Sequence, residues 1–263
     1  MSKYEELRVE IDGSLGQIIL NRPDVRNAMS AHMADEFVSA VAEVNAASGV
    51  RVVLLRGEGR SFAAGGDFTF LDDRVVDDPE HNRRVMVDYY ESFLSVRRIH
   101  APTIAVLHGA AIGAGLCLAL ACDLRLAAPE AKLGVNFVRL GLHPGMGATW
   151  LLPRLVGPAK AKELILTGRI ITAQEGLPMG LVNALYPRDD LLSEAMKLAD
   201  EIAANAPLAV ARACATLDGA GARSLGEALR MEASAQALDY ATDDMREGLA
   251  AAKARRPPRF TGR

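Results

Sequence analysis

Residues His108–Ala127 read HGAAIGAGLCLALACDLRLA, and this stretch decides the fold. It follows an apolar run, Thr103 to Leu107, which predicts a buried strand. The turn that comes next contains three glycines, Gly109, Gly113 and Gly115. The residues from there to Cys122 are apolar on every side, and this pattern predicts a fully buried helix. A strand, a glycine-rich turn and a buried helix indicate part of an α/β core.

A second segment of small residues, SFAAGGDF at Ser61–Phe68, follows another apolar run, Val52 to Leu55. The small residues Ala63–Gly66 allow a ligand to approach the backbone amides without obstruction from side chains. The start of the buried helix also offers unpaired N–H groups and partial positive charge. Two such segments together predict an oxyanion hole, in which amides stabilise the negative oxygen that develops on a reacting carbonyl.

The rest of the chain alternates between strand and helix patterns. We expect a hairpin around Asp12-Gly13 and further strands at Leu124–Ala127 and around Leu181–Leu185. Helical patterns occupy 30–46, 83–98, 159–167 and 191–204, and an almost continuous one runs from 207 to 253. Residues Phe68–Arg84 are acidic, contain Pro79 and lack periodicity, so we predict a mobile loop there.

Composition limits the possible functions. The chain has 263 residues, of which 50% are hydrophobic, and is long enough to bury a large core. A net charge of −3 without an extended basic cluster argues against nucleic-acid binding. The N-terminus resembles no targeting signal, and the longest apolar run, Ala110–Cys122, is too short to span a bilayer, so we expect a cytoplasmic protein that does not enter the membrane. The three cysteines have no metal-ligand spacing and are expected to be reduced.

The order of motifs resembles that of the crotonase superfamily, also called the enoyl-CoA hydratase/isomerase family. The resemblance covers nearly the whole chain and includes, besides the two segments above, LNRPDVRNAMS (20–30), residues 132–157, residues 165–187 and EGLAAAKARRPPRFTG (247–262). It implies a ββα spiral core over residues 1–190 and a C-terminal helical trimerisation region over 191–263. It also implies an acyl-CoA thioester substrate, no cofactor apart from the coenzyme A of that substrate, no metal, and a homotrimer or hexamer.

The resemblance assigns site residues by position. The oxyanion-hole amides would belong to Ala64 and Ala114. Residues contacting the coenzyme A portion would be Arg26, Ala28, Ala64, Gly65, Gly66, Asp67 and Phe260, with Arg26 suited to phosphate.

In this chain, the positions that match the family's acid and base residues hold no carboxylate side chain. The two glutamates that hold the attacking water in hydratases would fall at Cys117 and Phe137, and the aspartate of the dienoyl isomerase and dehalogenase branches would fall at Gly145. A buried thiol transfers protons poorly at neutral pH, and phenylalanine cannot transfer one. Simple hydration of an enoyl-CoA is therefore in question.

Other ionisable residues are weaker candidates for chemistry. His143 lies in LGLHPGMGA and is the only histidine inside a motif that resembles part of the family's active site. It could act as an acid or a base. His108 and Asp123 are expected to be structural. The remaining candidates, Asp72, Asp73 and His81, are expected to form a solvated face.

Several functions stay open on this reading. The favoured one is an enzyme of the enoyl-CoA hydratase/isomerase type that stabilises a thioester oxyanion. The alternatives are a decarboxylase, hydrolase or isomerase that uses His143, and a non-catalytic acyl-CoA binding protein. A dinucleotide-binding fold is disfavoured because GAAIGAG is not GxGxxG.

Overall fold

Two sheets of different size organise the fold in the computed structural model, which describes residues 3–219, 221 and 223–263. The larger sheet has the strand order β1-β2-β3-β4-β6-β9. Its strands are β1 (Leu7–Asp12), β2 (Leu15–Leu20), β3 (Val52–Gly57), β4 (Thr103–Leu107), β6 (Leu124–Ala127) and β9 (Ala184–Leu185). The first two strands form the expected antiparallel hairpin, and every later pair is parallel.

The smaller sheet contains β5 (Ala110–Ile112), β7 (Lys132–Gly134) and β8 (Ile171–Thr172) in the order β5-β7-β8. Strands of the two sheets alternate along the chain, since β5 follows β4 and β7 follows β6. Two isolated parallel bridges, Met29 with Gly66 and Ala63 with Ala111, continue the smaller sheet toward earlier turns of the chain. This alternation is a ββα spiral, and the predicted fold class is confirmed.

Helices pack around the two sheets. Their bounds are α1 (Ala31–Ala46), α2 (Phe68–Val76), α3 (Pro79–Leu94), α4 (Ala114–Leu120), α5 (Ala148–Val156), α6 (Pro158–Thr167), α7 (Ala173–Gly176), α8 (Arg188–Ala203), α9 (Pro207–Asp218), α10 (Leu225–Asp239) and α11 (Asp243–Ala254). All seven residues of α4 are buried, as its uniform apolarity predicts. The sequence did not indicate β5, which occupies part of the stretch predicted to be a turn.

The prediction of a loop over Phe68–Arg84 is wrong, because α2 and the first part of α3 occupy it. Asp67 and Asp78 cap the two helices by accepting hydrogen bonds from backbone N–H groups of their first turns. Pro79 is the first residue of α3. An N–H at this position would have no acceptor within the helix, so proline is compatible with the start of the helix and does not break it.

The C-terminal region is a set of separate helices. The predicted boundary after residue 190 falls inside α8, which packs on β3, β4 and β6 of the larger sheet. The pattern from 207 to 253 is divided by a capping box between Ser224 and Glu227 and by the Thr242 cap; its residues 220 and 222 lie outside the described residues. None of the residues in α9 and α10 is buried within this one chain.

Within residues 3–219, 221 and 223–263, no helix combines the length and apolarity needed to cross a bilayer.

Candidate active site

The turn before α4 leaves one backbone amide unpaired. Gly113 has φ of 56°, a conformation that side chains disfavour, and donates its own N–H to the Gly134 carbonyl at 2.8 Å. Ala114, the first residue of α4, is 5% exposed, and its N–H has no acceptor among the described residues. This amide is therefore available to a ligand.

The second loop lies directly beside this turn. The N–H of Ala63 donates to the Ala110 carbonyl, and the N–H of Ile112 donates to the Ala63 carbonyl, both at 3.0 Å. At Gly65, with φ of 108°, an added Cβ would come within 3.0 Å of the Ile112 carbonyl oxygen and 3.9 Å of the Ala114 nitrogen. Only glycine lets the two backbones approach so closely.

The structure corrects the assignment of the donor in this loop. Ala64 donates its N–H to the Arg26 carbonyl at 2.9 Å, so this amide is already paired. The N–H of Gly66 has no acceptor among the described residues. The positive φ of Gly65 interrupts the extended backbone between these two residues, so Ala64 meets the Arg26 carbonyl while no carbonyl meets the N–H of Gly66.

Hydrogen bonds on both sides of Gly66 hold it in place. Met29 donates its N–H to the Gly65 carbonyl at 2.8 Å, and Asp67 donates its N–H to the Met29 carbonyl at 3.0 Å. The Tyr89 hydroxyl also donates to the Met29 carbonyl, at 2.8 Å. These contacts fix the backbone of Gly66 without using its N–H.

Asp67 organises the loop. One carboxylate oxygen accepts from the Arg22 guanidinium at 2.8 Å, and the other accepts from the Thr69 amide at 2.9 Å. Burial alone would raise the pKa of Asp67, but the bonds from Arg22 and Thr69 outweigh it, so the pKa lies below its usual range. The charged carboxylate acts as a cap for α2 and has no proton to transfer at neutral pH.

Two other predicted coenzyme A contacts lie near this loop. Arg26 is exposed, has φ of 55°, and its guanidinium pairs with no described residue. The carbonyl of Ala28 accepts from Arg22 at 2.6 Å. Phe260 does not line this loop. Its ring lines a small cavity together with Leu208, Met245 and Gly248.

Cys117 and Phe137 stand near the two free amides. Cys117 lies three residues after Ala114 on the same face of α4 and is fully buried. Burial raises the pKa of its thiol to about 12, so it stays protonated at neutral pH. An added Cβ at Gly113 would lie 4.0 Å from the Phe137 ring. Neither residue supplies a proton-transfer group there.

Sequence reasoning missed Tyr90, on α3. A Cβ added at Gly145 would lie 2.3 Å from the Tyr90 hydroxyl oxygen, which shows how close the phenol comes to that backbone. The sequence carried no signal for this contact, because Tyr90 lies outside the recognised motifs and reaches Gly145 only through tertiary packing.

The other ionisable candidates lie away from the two amides or have partners. His143 is exposed, and its Nδ1 lies 2.8 Å from the Pro144 carbonyl oxygen. His108 contacts the Gly59 carbonyl through Nε2 at 3.2 Å, and Asp123 accepts from the Thr103 amide and hydroxyl, both at 2.7 Å. The residues expected on a solvated face, Asp72, Asp73 and His81, are exposed.

In the described part of the chain, His, Cys, Asp and Glu residues form no group of three or more that could hold a metal ion.

Comparison with known proteins agrees with this geometry. The model of the family described as "Enoyl-CoA hydratase/isomerase" matches residues 10–263, a range that includes both loops. The chain belongs to the enoyl-CoA hydratase/isomerase family. The predicted membership of the crotonase superfamily is thereby confirmed, as is an enzyme of the hydratase/isomerase kind.

Relatives within the enoyl-CoA hydratase/isomerase family match over their full length. A Mycobacterium bovis protein named "Probable enoyl-CoA hydratase echA8" is 36% identical over 99% of both chains. A crotonyl-CoA hydratase of Syntrophomonas wolfei is 35% identical over 98% of both chains. Among solved structures, an enoyl-CoA hydratase from Bacillus anthracis superimposes with a TM-score of 0.92 at 35% identity, covering 98% of this chain and 100% of the other.

Proposed function

We propose that this protein binds acyl-CoA thioesters and stabilises a thioester oxyanion with the N–H groups of Gly66 and Ala114. The observation that carries the proposal is the pair of unpaired amides on two backbone segments that lie side by side. Two fixed N–H donors in a water-poor site stabilise a developing negative oxygen more strongly than water does, because they need no reorganisation during the reaction.

The coenzyme A portion would lie along the Arg26 turn and the Ala64–Asp67 loop. The unpaired guanidinium of Arg26 suits a phosphate group, and the small residues of the loop leave room for the pantetheine chain. Coenzyme A enters as part of the substrate, so we propose no separate cofactor and no metal.

The reaction we favour is of the enoyl-CoA hydratase/isomerase type, in line with the names of the relatives. The buried thiol of Cys117 and the ring of Phe137 weigh against simple hydration as the reaction of this enzyme. A decarboxylase, hydrolase or isomerase that uses His143 is a further alternative, against which the exposure of that ring weighs.

A variant that removes one amide tests the proposal. Ala114→Pro eliminates the N–H at the first position of α4, where proline suits the helix, and Ala114→Gly keeps the N–H as the matched control. Calorimetry would compare butyryl-CoA with its thioether analogue S-butyl-CoA, which lacks the carbonyl.

We expect the native protein and Ala114→Gly to bind butyryl-CoA more tightly than S-butyl-CoA, by about two- to tenfold for one hydrogen bond. Ala114→Pro should lose this preference while retaining its thermal unfolding transition. A preference that survives in folded Ala114→Pro, or a native protein that binds neither ligand, would contradict the proposal.

A homotrimer or hexamer, and a cytoplasmic location, stay predictions. The two-part division at residue 190 also stays a prediction.

A further inference from the structure

The Tyr90 hydroxyl is an unpaired donor close to the proposed site. It makes no hydrogen bond with any described residue, and it is not among the fully buried side-chain atoms that lack a partner, so part of it stays accessible. The ring is held by packing, with its centroid 6.2 Å from that of Tyr89 in an edge-on arrangement. The hydroxyl is therefore positioned by the fold and available to a ligand.

Its position relative to the two amides follows from shared neighbours. The hydroxyl lies against Gly145, and the Cys117 thiol points to the Gly145 carbonyl with a separation of 3.8 Å. Cys117 in turn stands one helical turn after Ala114. A helical turn is about 5.4 Å, so Gly145, which the Tyr90 hydroxyl and the Cys117 thiol both contact, lies beside the part of α4 that begins at the Ala114 amide.

Apolar side chains lie against the backbone of both loops. The side chain of Leu71 lies over Gly66, with 3.8 Å from its Cγ to a Cβ built there, and the Phe137 ring closes the side near Gly113. In a site with few polar groups, a single hydrogen-bond donor discriminates strongly between ligands. A ligand without a matching acceptor leaves this donor without a partner when it binds.

We propose that Tyr90 determines acyl specificity by donating a hydrogen bond to an acceptor on the β carbon of the acyl group. The inference rests on the proposed function, since it places the thioester oxygen at the Ala114 amide. The preferred ligands are acyl-CoA thioesters that carry an oxygen at this carbon, namely the 3-hydroxyacyl group that hydration of an enoyl group forms, or a 3-oxoacyl group.

The protonation state of the phenol suits a donor. Burial, and to a smaller extent the neighbouring Cys117, raise the pKa of Tyr90 above its usual value of 10.0. The hydroxyl therefore keeps its proton throughout the neutral range and can donate to a ketone oxygen, which only accepts.

Binding measurements on two esters test this role without knowledge of the reaction. Calorimetry would compare acetoacetyl-CoA, which has a β oxygen, with butyryl-CoA, which lacks one, for the native protein and for Tyr90→Phe. Tyr240→Phe is the matched control, because it removes a hydroxyl from an exposed ring on the C-terminal helices. Gly145→Ala is a second variant, in which the added Cβ displaces the hydroxyl while the tyrosine is kept.

We expect the native protein and Tyr240→Phe to bind acetoacetyl-CoA about five- to tenfold more tightly than butyryl-CoA. Tyr90→Phe and Gly145→Ala should each reduce this ratio to near one and leave the butyryl-CoA affinity within about twofold.

An unchanged ratio in Tyr90→Phe, or a native protein that does not distinguish the two esters, would overturn the role of Tyr90 and leave the proposed function intact. A native protein that binds neither ester would overturn both.

Discussion

Ala64 donates its backbone N–H to the carbonyl oxygen of Arg26 at 2.9 Å. This bond joins the turn proposed to hold coenzyme A to the loop proposed to hold the thioester. It also uses the Ala64 amide, to which the family resemblance assigns the oxyanion hole, and leaves that of Gly66 unpaired. The position of one carbonyl thus decides which amide of this loop stays unpaired.

Restoring two carboxylates should restore a hydratase. We expect Cys117→Glu with Phe137→Glu to raise the rate of crotonyl-CoA hydration by about 10²-fold or more, since each general acid or base is typically worth 10²–10⁴. The loss of crotonyl-CoA absorbance measures the rate. The variant should also unfold at a lower temperature, because a carboxylate at the fully buried Cys117 position is costly.

The matched control for that variant is Cys117→Gln with Phe137→Gln, which has the same size and no titratable proton. It should show no gain in rate. Efficient hydration by the native protein would contradict the view that Cys117 and Phe137 disable this chemistry.

His143 is expected to be dispensable. Its ring is exposed and lies against the Pro144 carbonyl, so His143→Ala should change the affinity for butyryl-CoA, and the turnover of any ester the native protein converts, by no more than about twofold. A loss of turnover greater than tenfold, with unchanged affinity, would instead support an enzyme that uses His143.

The Asp67 carboxylate should stabilise the fold in a pH-dependent way. Because its pKa in the folded protein lies below the ordinary value of 3.8, the ionised group contributes stability above that value and loses it as the pH falls through the folded pKa. Asp67→Asn keeps a capping side chain but removes the charge, and should lower the free energy of unfolding by about 1 kcal/mol at pH 7.

Urea denaturation at several pH values measures this difference. It should be constant down to about pH 5 and shrink below about pH 4. Asp72→Asn, at an exposed carboxylate on the same helix, is the control and should have little effect at any pH. A difference that grows as the pH falls would show that the charge on Asp67 does not stabilise the fold.

The C-terminal helices should bury their apolar side chains between subunits. Leu225 is 76% exposed and Leu238 is 60% exposed in the single chain, and neither α9 nor α10 has a buried residue. We expect light scattering to find a homotrimer or hexamer, and Leu238→Glu to weaken the assembly by at least about tenfold.

Val76→Glu, at a residue 85% exposed on α2, is the control for added charge and should leave the assembly intact. A stable native monomer at micromolar concentration would refute the prediction of a trimer or hexamer.

The sequence by itself determined much of the core. Strand β4 has the predicted bounds because all five of its residues are buried, and burial on both faces leaves an almost continuous apolar run in the sequence. The order of motifs also aligns Cys117 and Phe137 with the two glutamates of the family, and the absence of a carboxylate at these positions stays a prediction about the chemistry. The helix over Phe68–Val76 is not evident from periodicity, and what starts it is the Asp67 side chain, which accepts a hydrogen bond from the Thr69 amide.

Only the tertiary structure decided which groups meet at the site. The choice of Gly66 over Ala64 depends on a carbonyl at Arg26, and the position of the Tyr90 hydroxyl depends on the contact of α3 with Gly145. Hydrogen bonds and van der Waals contacts act over a few ångströms between residues distant in the chain. A sequence pattern, which reports local periodicity, therefore carries no signal for them.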